Sequence, residues 1–413
     1  MKTTYCCVTC GRTLEADGVL YECPQCAAEP GGADGYPRGY LSVVYAPRKK
    51  ARRGAAVDPL SMLPLPLSRW PSFPAGATPL VTPARLRAST GFPQLFLKND
   101  TLNISGSLKD RASVLVAEQA LAAGENRVAL ASTGNAGASM ACVGAAYELS
   151  VVLFVPGAAP RAKLLQSLLF GAQVVPVQGT YDDAYGLSIE YTRRCGGINR
   201  NTAFNPFTME GKKTVSLEIY NQLGGREPDV VYVPTGDGVI FSGACKGFSD
   251  LLLQGSTGRL PIMIAVQAQG SNALHRSRQE GREVVLSETS TIADSLSVSR
   301  PAAGVMALQY LKQSAGRTVE VADAEISAAQ AQLAREAGLF VEPSSAAAWA
   351  GFLKDRQSLD PAWTVVVLLT GTGFKDMAAA ERLTTMPAPC RPDIESALRL
   401  LSDVYGMRGQ RDP

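Results

Sequence analysis

From about Leu80 to Leu369 the chain repeats one pattern: a short apolar run, a turn rich in glycine and hydroxyl residues, then an alanine-rich stretch with helical spacing. The runs are Val128–Ala131, Val151–Val155, Val174–Val177, Val230–Val233, Ile262–Val266 and Thr364–Leu369. Continuous rather than alternating hydrophobicity suits strands covered on both faces. Arg161–Phe170 is one of the intervening helical patterns. Buried strands alternating with helices predict an α/β fold with doubly wound parallel sheets. Ligands of such sheets sit at the carboxyl ends of the strands.

Composition narrows the function. Hydrophobic residues make up 46 % and charged residues 19 %, which supports sizeable cores and excludes disorder for the bulk of the chain. A net charge of +3 gives no case for nucleic acid or an anionic membrane as partner. No apolar run approaches the ~20 residues of a membrane span. The first residues lack an apolar signal segment, so a cytoplasmic protein is expected. His275 is the single histidine, so lysine, hydroxyl, carboxylate or a cofactor must carry any chemistry.

Residues 1–45 read as a separate small unit. Cys7-Val-Thr-Cys10 and Cys23-Pro-Gln-Cys26 form two Cys-x2-Cys knuckles around a short hairpin. Four thiolates at this spacing suit one tetrahedral Zn²⁺, which would supply folding energy to a unit too small for its own core. A disulfide pair or a metal-free ribbon is the alternative, and Cys6 could replace Cys7. A closed thiolate shell would be structural and remote from any chemistry. Residues 46–77 read as a linker, with basic residues between Arg48 and Arg53 that are solvated rather than bound to a polyanion.

Four motifs fall at strand ends. In Asn103-Ile-Ser-Gly-Ser-Leu-Lys109, a lysine opens a helix, a poor place for a cation beside the helix dipole and hence a candidate Schiff-base lysine. Ser132, Thr133, Gly134, Asn135 and Ala136 form a turn at a helix start, able to hold a carboxylate or simply to cap the helix. Gly236-Asp-Gly-Val-Ile240 can bring backbone N–H groups to a phosphate, although it lacks a P-loop ending. Thr370-Gly-Thr-Gly-Phe-Lys375 offers hydroxyls at the last strand end.

Together and in this order the motifs resemble those of the threonine synthases, members of the tryptophan-synthase-β (fold type II) pyridoxal-phosphate enzymes. Lys163–Ala184, Asn205–Thr214 and Phe340–Ala347 extend the resemblance, as does the amino-terminal ribbon. It implies a large pyridoxal-phosphate domain over 78–122 and 206–385, a small α/β domain over 123–205, and a tail over 386–413 with one helix. It also implies a homodimer acting on a small amino-acid substrate. Lys109 becomes the Schiff-base lysine and proton carrier. Asn135 bonds the cofactor's 3′-oxygen, Gly236, Asp237, Gly238, Val239 and Ile240 cradle its phosphate, and Thr370 faces its pyridine nitrogen. Ser132, Thr133, Gly134 and Ala136 line the substrate-carboxylate loop.

The implied reaction converts O-phosphohomoserine and water to threonine and phosphate. A cysteate-synthase-type β-replacement, a Ser/Thr ammonia-lyase, or a non-catalytic binding role are the rival readings. Three departures from the family pattern bear on the choice. Asp237 stands where asparagine is usual, Thr372 where histidine is usual, and Ala293–Pro301 differs throughout, with Arg300 as a candidate for a substrate phosphate. A carboxylate beside a phosphate is costly unless it is paired or turned away.

Overall fold

The computed structural model describes residues 2–28, 38–45, 52–281, 284, 286 and 288–406. The basic residues Arg48, Lys49 and Lys50 lie outside these, whereas Arg53 pairs with Glu227 at 3.7 Å. Residues 1–375 form one compact unit and 376–413 a second. The second unit holds the helices Met377–Glu381 and Ile394–Tyr405, the latter capped by the Asp393 side chain accepting the Ser396 N–H.

All six apolar runs are parallel strands. The large sheet has the order Arg317–Val321, Ile262–Ala268, Val230–Pro234, Val365–Leu369, Leu95–Asn99 and Leu80–Val81, with only the last pair antiparallel. The small sheet has the order Gln173–Val177, Ser150–Pro156, Arg127–Ala131 and Ile198–Asn199, all parallel. Strand Val365–Leu369 shows why the apolar runs are continuous. Val365, Val367 and Leu369 join one core with Trp349 and Phe352 of the helix Pro343–Asp355. Val366 and Leu368 point the other way, into a core with Phe241 and Phe248 of the helix Val239–Leu253. Each such side chain contributes about 1.5–3 kcal/mol of burial.

The helix Lys109–Ala122 is pinned by a buried charge network. Arg111 donates to Asp100 at 2.7 Å and to Glu218 at 2.6 Å, and Lys98 meets Glu218 at 2.6 Å. Gly211 lets the helix Phe207–Gln222 lie against it, since a Cβ there would meet the Arg111 carbonyl oxygen at 2.2 Å. Burial alone would raise the Glu218 carboxyl, but Arg111 and then Lys98 hold it down to about 2. Burial itself pulls Lys98 below the lysine range. The permanently charged guanidinium is therefore the main partner.

The ribbon is a three-stranded antiparallel sheet of Thr13–Asp17, Lys2–Cys7 and Leu41–Val43. Its cysteines are free of disulfides, and the sulfurs of Cys7, Cys10, Cys23 and Cys26 all lie within 4.8 Å of one another. Cys7 rather than Cys6 completes the group. Of the scattered cysteines, Cys142 and Cys245 are buried, whereas Cys195 and Cys390 are exposed.

Glu218→Gln leaves the buried Lys98 without its carboxylate and Arg111 with Asp100 alone, and should cost about 3–5 kcal/mol in urea unfolding. The depressed Glu218 stabilises the fold fully above about 4.5, and that contribution is lost as pH falls toward about 2. The gap between wild type and variant should therefore be full at neutral pH and shrink over that acid range. A gap independent of pH would show that the network's charge is not what matters.

Candidate active site

The strand ends converge where the two sheets meet the start of the Lys109 helix. The Leu108 N–H donates to the Thr370 carbonyl oxygen at 2.8 Å, and the Thr372 N–H donates to Gly106 O at 3.0 Å. The loop after Val365–Leu369 thus clips the Ser-Gly-Ser turn and fixes where Lys109 emerges. Beside it lies a cavity lined by Ser107, Lys109, Asn135, Gly236, Asp237, Gly238, Ile240, Ser295, Glu342 and Thr370, among others. Four motifs far apart in sequence therefore meet in one place.

Lys109 is partly buried. Burial drives its ammonium below the usual lysine range; Asp237 opposes this, Arg200 adds to it, and Glu342 opposes it. A lysine held down in this way spends more time as the free amine, the nucleophilic form. Asn135 opens the helix Asn135–Tyr147 and donates its amide to Glu342 at 3.0 and 3.1 Å. Burial raises the Glu342 carboxyl, with the Asn135 bond and the charges of Lys375 and Lys109 acting against it. Thr370 is buried, its N–H donating to Ser345 Oγ at 2.7 Å.

The glycine-rich loop is tightly enclosed. A Cβ on Gly236 would meet Leu296 Cα at 3.0 Å, and Gly238 takes φ +88° beneath the Ala303 carbonyl oxygen. Asp237 Oδ1 accepts the Val239 N–H at 3.0 Å, so its carboxylate caps the helix. No cation pairs with it directly among the described residues, but Lys109, Arg200 and Lys212 all feel its charge.

Ser132 Oγ accepts the N–H groups of Gly134 at 3.2 Å and Gly137 at 3.1 Å. Ser132, Thr133, Gly134 and Ala136 adjoin Asn135 but do not line the cavity. Arg300 is exposed and also outside the lining; Ser295, Leu296 and Val298 are what its segment contributes. The ribbon packs against the helix that follows the glycine-rich loop. Tyr40 is buried in a cluster with Val239 of the loop, Ala303 and Met306, and lies in the field of Asp237 and Arg300. Tyr21 stacks on Phe204 at 4.7 Å and accepts the Asn199 N–H at 2.8 Å. His275 is elsewhere, its Nδ1 2.9 Å from Thr318 Oγ1.

Sequence reasoning assigned no role to Glu342, Arg200, Lys212 or Tyr40. Glu342 carried a signal, a carboxylate just before Pro343 at a helix start, where the dipole favours it. Arg200 follows a two-residue strand, too short for a pattern.

A model of the pyridoxal-phosphate dependent enzyme family matches residues 72–371. A threonine synthase of Methanosarcina acetivorans is 34 % identical over 90 % of this chain and 91 % of its own. One from Methanocaldococcus jannaschii is 31 % identical over 96 % and 99 %. Among solved structures, a threonine deaminase from Solanum lycopersicum matches with TM-score 0.65 and 21 % identity, over 89 % of this chain and 96 % of its own. A maize serine racemase matches with TM-score 0.66 and 21 % identity, over 80 % and 97 %. These two show the fold, that of the fold type II enzymes. The chain belongs to the threonine synthase family of pyridoxal-phosphate-dependent enzymes, which are lyases.

The cavity suits that cofactor on its own evidence. It holds an amine without a hydrogen-bond partner among the described residues, a glycine loop at a helix start, and a buried Ser107 hydroxyl that likewise lacks a partner.

Glu342→Ala removes the acceptor that orients Asn135. A charge-assisted bond of this kind contributes about 1.5–3 kcal/mol, so cofactor retention on dialysis should weaken about tenfold or more. Retention equal to wild type would mean that Glu342 does not hold Asn135 for the cofactor.

Proposed function

We propose that the protein converts O-phosphohomoserine and water to threonine and phosphate. The observation that carries this reading is the meeting of Lys109 with the Gly236–Ile240 loop, Asn135 and Thr370 around one cavity, in a chain similar to threonine synthases along nearly its whole length. Bound pyridoxal phosphate supplies the electron sink that stabilises carbanions. Lys109 anchors it and moves protons at Cα, Cβ and Cγ of the substrate. Asn135 would donate to the cofactor's 3′-oxygen, and the backbone of Gly236, Asp237, Gly238 and Ile240 would receive its phosphate; Val239, expected in this cradle, has its N–H held by Asp237 and does not line the cavity. The Thr370 hydroxyl faces the ring nitrogen without protonating it. The turn Ser132–Ala136 takes the substrate carboxylate at first-turn N–H groups other than those of Gly134 and Gly137, which Ser132 Oγ holds.

The purified protein should show a visible imine band that borohydride fixes to Lys109, and Lys109→Ala should abolish turnover. Label on another lysine would overturn that assignment. The substrate is tested by following phosphate and ammonia release over a panel of amino acids. Phosphate from O-phosphohomoserine is the expected product; ammonia from serine or threonine would move the reading to an ammonia-lyase.

We also propose that the four-cysteine cluster holds one structural Zn²⁺. The Cys7–Cys26 and Cys10–Cys23 sulfur distances are 3.7 and 3.9 Å. Four sulfurs about 2.3 Å from a tetrahedral zinc would stand about 3.8 Å apart. Metal analysis should give one zinc per chain, and Cys10→Ser should lower both zinc content and melting temperature. Full metal content in that variant would remove Cys10 from the ligand set. A cytoplasmic homodimer completes this reading; sedimentation at micromolar concentration tests the dimer.

A further inference from the structure

Lys212 lies on the helix Phe207–Gln222, is 0 % exposed, and its ammonium has no hydrogen-bond partner among the described residues. A buried charge left without a partner is among the most costly features a fold can keep.

The direction of the side chain follows from helix packing. Gly243 of the helix Val239–Leu253 faces Met209 and Lys212, Gly247 faces Lys213 and Ser216, and Ser256 just beyond it receives the Tyr220 hydroxyl. Numbers rise together, so the two helices run the same way. Helical side chains lean toward their own amino terminus. Lys212 therefore leans toward the first turn of Val239–Leu253, where the Gly236–Ile240 loop ends. Its electrostatic neighbours agree: Lys109, Asp237 and Arg200.

Arg200 is also 0 % exposed, and among the described residues its guanidinium has only hydroxyl partners, Thr202 at 2.8 Å and Ser113 at 3.4 Å. Ser113 sits one helical turn beyond Lys109. Lys109, Lys212 and Arg200 all feel the carboxylate of Asp237; Glu342 acts on Lys109 as well and Asp110 on Arg200, whereas Asp237 is the one carboxylate that acts on Lys212 among the described residues. Lys212 is therefore left without an ion-pair partner of its own, and a bound anion would supply one. A phosphate monoester, carrying about −1.5 to −2 at neutral pH with three acceptor oxygens, suits a buried ammonium backed by a guanidinium.

We propose that Lys212, backed by Arg200, is the counter-ion for a phosphoryl group bound beside the Gly236–Ile240 loop. The inference rests on the reading of this cavity as a pyridoxal-phosphate site. The phosphoryl group has two sources, the cofactor and a phosphorylated amino-acid substrate, and two arms of one experiment separate them.

The variants are Lys212→Gln, Lys212→Met and Lys212→Arg in the full chain, with melting temperature and gel filtration as folding controls. In the first arm the resolved apoenzyme is titrated with pyridoxal phosphate and with pyridoxal, following the imine band. In the second, cofactor-saturated enzyme is titrated with O-phosphohomoserine and O-phosphoserine against homoserine and serine, following the spectral change. Removing the charge should weaken binding of the phosphorylated partner about tenfold to a hundredfold, the scale of a charge-assisted hydrogen bond. The unphosphorylated partner should be unaffected, and Lys212→Arg should keep the preference. Loss in the first arm assigns the cofactor's phosphate, loss in the second the substrate's. Equal losses for phosphorylated and unphosphorylated partners, or none in a folded Gln or Met variant, would overturn the proposal and leave Lys212 a neutral core lysine. Misfolding of both uncharged variants, with Lys212→Arg intact, would also overturn it, by making the residue structural. Failure to release phosphate from O-phosphohomoserine would count against threonine synthesis and leave this binding comparison standing.

Discussion

The guanidinium of Arg111 is the interaction on which the site's geometry depends. It lies two residues beyond Lys109, so fixing Arg111 fixes the lysine. Its donors reach Asp100 after the strand Leu95–Asn99, Thr78 before the strand Leu80–Val81, and Thr214 and Glu218 on the helix Phe207–Gln222. One side chain therefore ties the Lys109 helix to the edge of the large sheet and to the helix that carries Lys212. A planar fork with several donors can do this where a lysine's point charge could not. Replacing the network by apolar groups could be as stable, but would lose the directionality that sets the position of Lys109.

The six apolar runs were legible because strands buried on both faces need no polar residue. Three other strands of the large sheet were not; Leu80–Val81 is only two residues long, and for the other two the reasons are specific. Leu95–Asn99 is interrupted by Lys98, which reads as exposure until Glu218 is seen to meet it at 2.6 Å. Arg317–Val321 carries charged residues because it is an edge strand, where Arg317 reaches Asp355 at 2.6 Å. The candidate site divides in the same way. Lys109, Asn135, the glycine loop and Thr370 sit in motifs whose local form is their signal. Arg200, Lys212 and Glu342 matter through what the fold brings beside them, and a single sequence does not show that. Arg300 illustrates the opposite case, an unusual residue in a suggestive segment that the fold leaves in solvent.

The ribbon changes the account of how the cavity is walled. Its small sheet could have been an appendage, yet Tyr21 and Tyr40 flank the second cysteine knuckle and are inserted between the small-sheet loop Asn199–Phe204 and the glycine-rich loop's helix. A five-residue helix, Pro24–Ala28, and three short strands cannot hold two tyrosines in place by their own core. A metal at the four thiolates would stiffen the segment that carries both rings. With a metal bound, the ribbon would brace the helix behind the glycine-rich loop through Tyr40, which packs on Val239.

The loop's carboxylate poses the remaining physical problem. A glycine loop at a helix start ordinarily receives a phosphate through free N–H groups and the helix dipole, with no charged side chain required. Here Asp237 spends its carboxylate on the Val239 N–H, which removes one of those donors and adds a negative charge at the same point. Both changes disfavour an anion. The cations that feel Asp237 come from three different elements: Lys109 from the helix it opens, Arg200 from the end of the small sheet, and Lys212 from the helix Phe207–Gln222. None is close enough to form an ion pair with it, so the carboxylate holds their charge near the loop without consuming it. In the proposed phosphoryl site these buried cations would offset the loop's carboxylate and add to its remaining backbone N–H groups, which is how a loop with an aspartate at its centre could still receive a phosphoryl group.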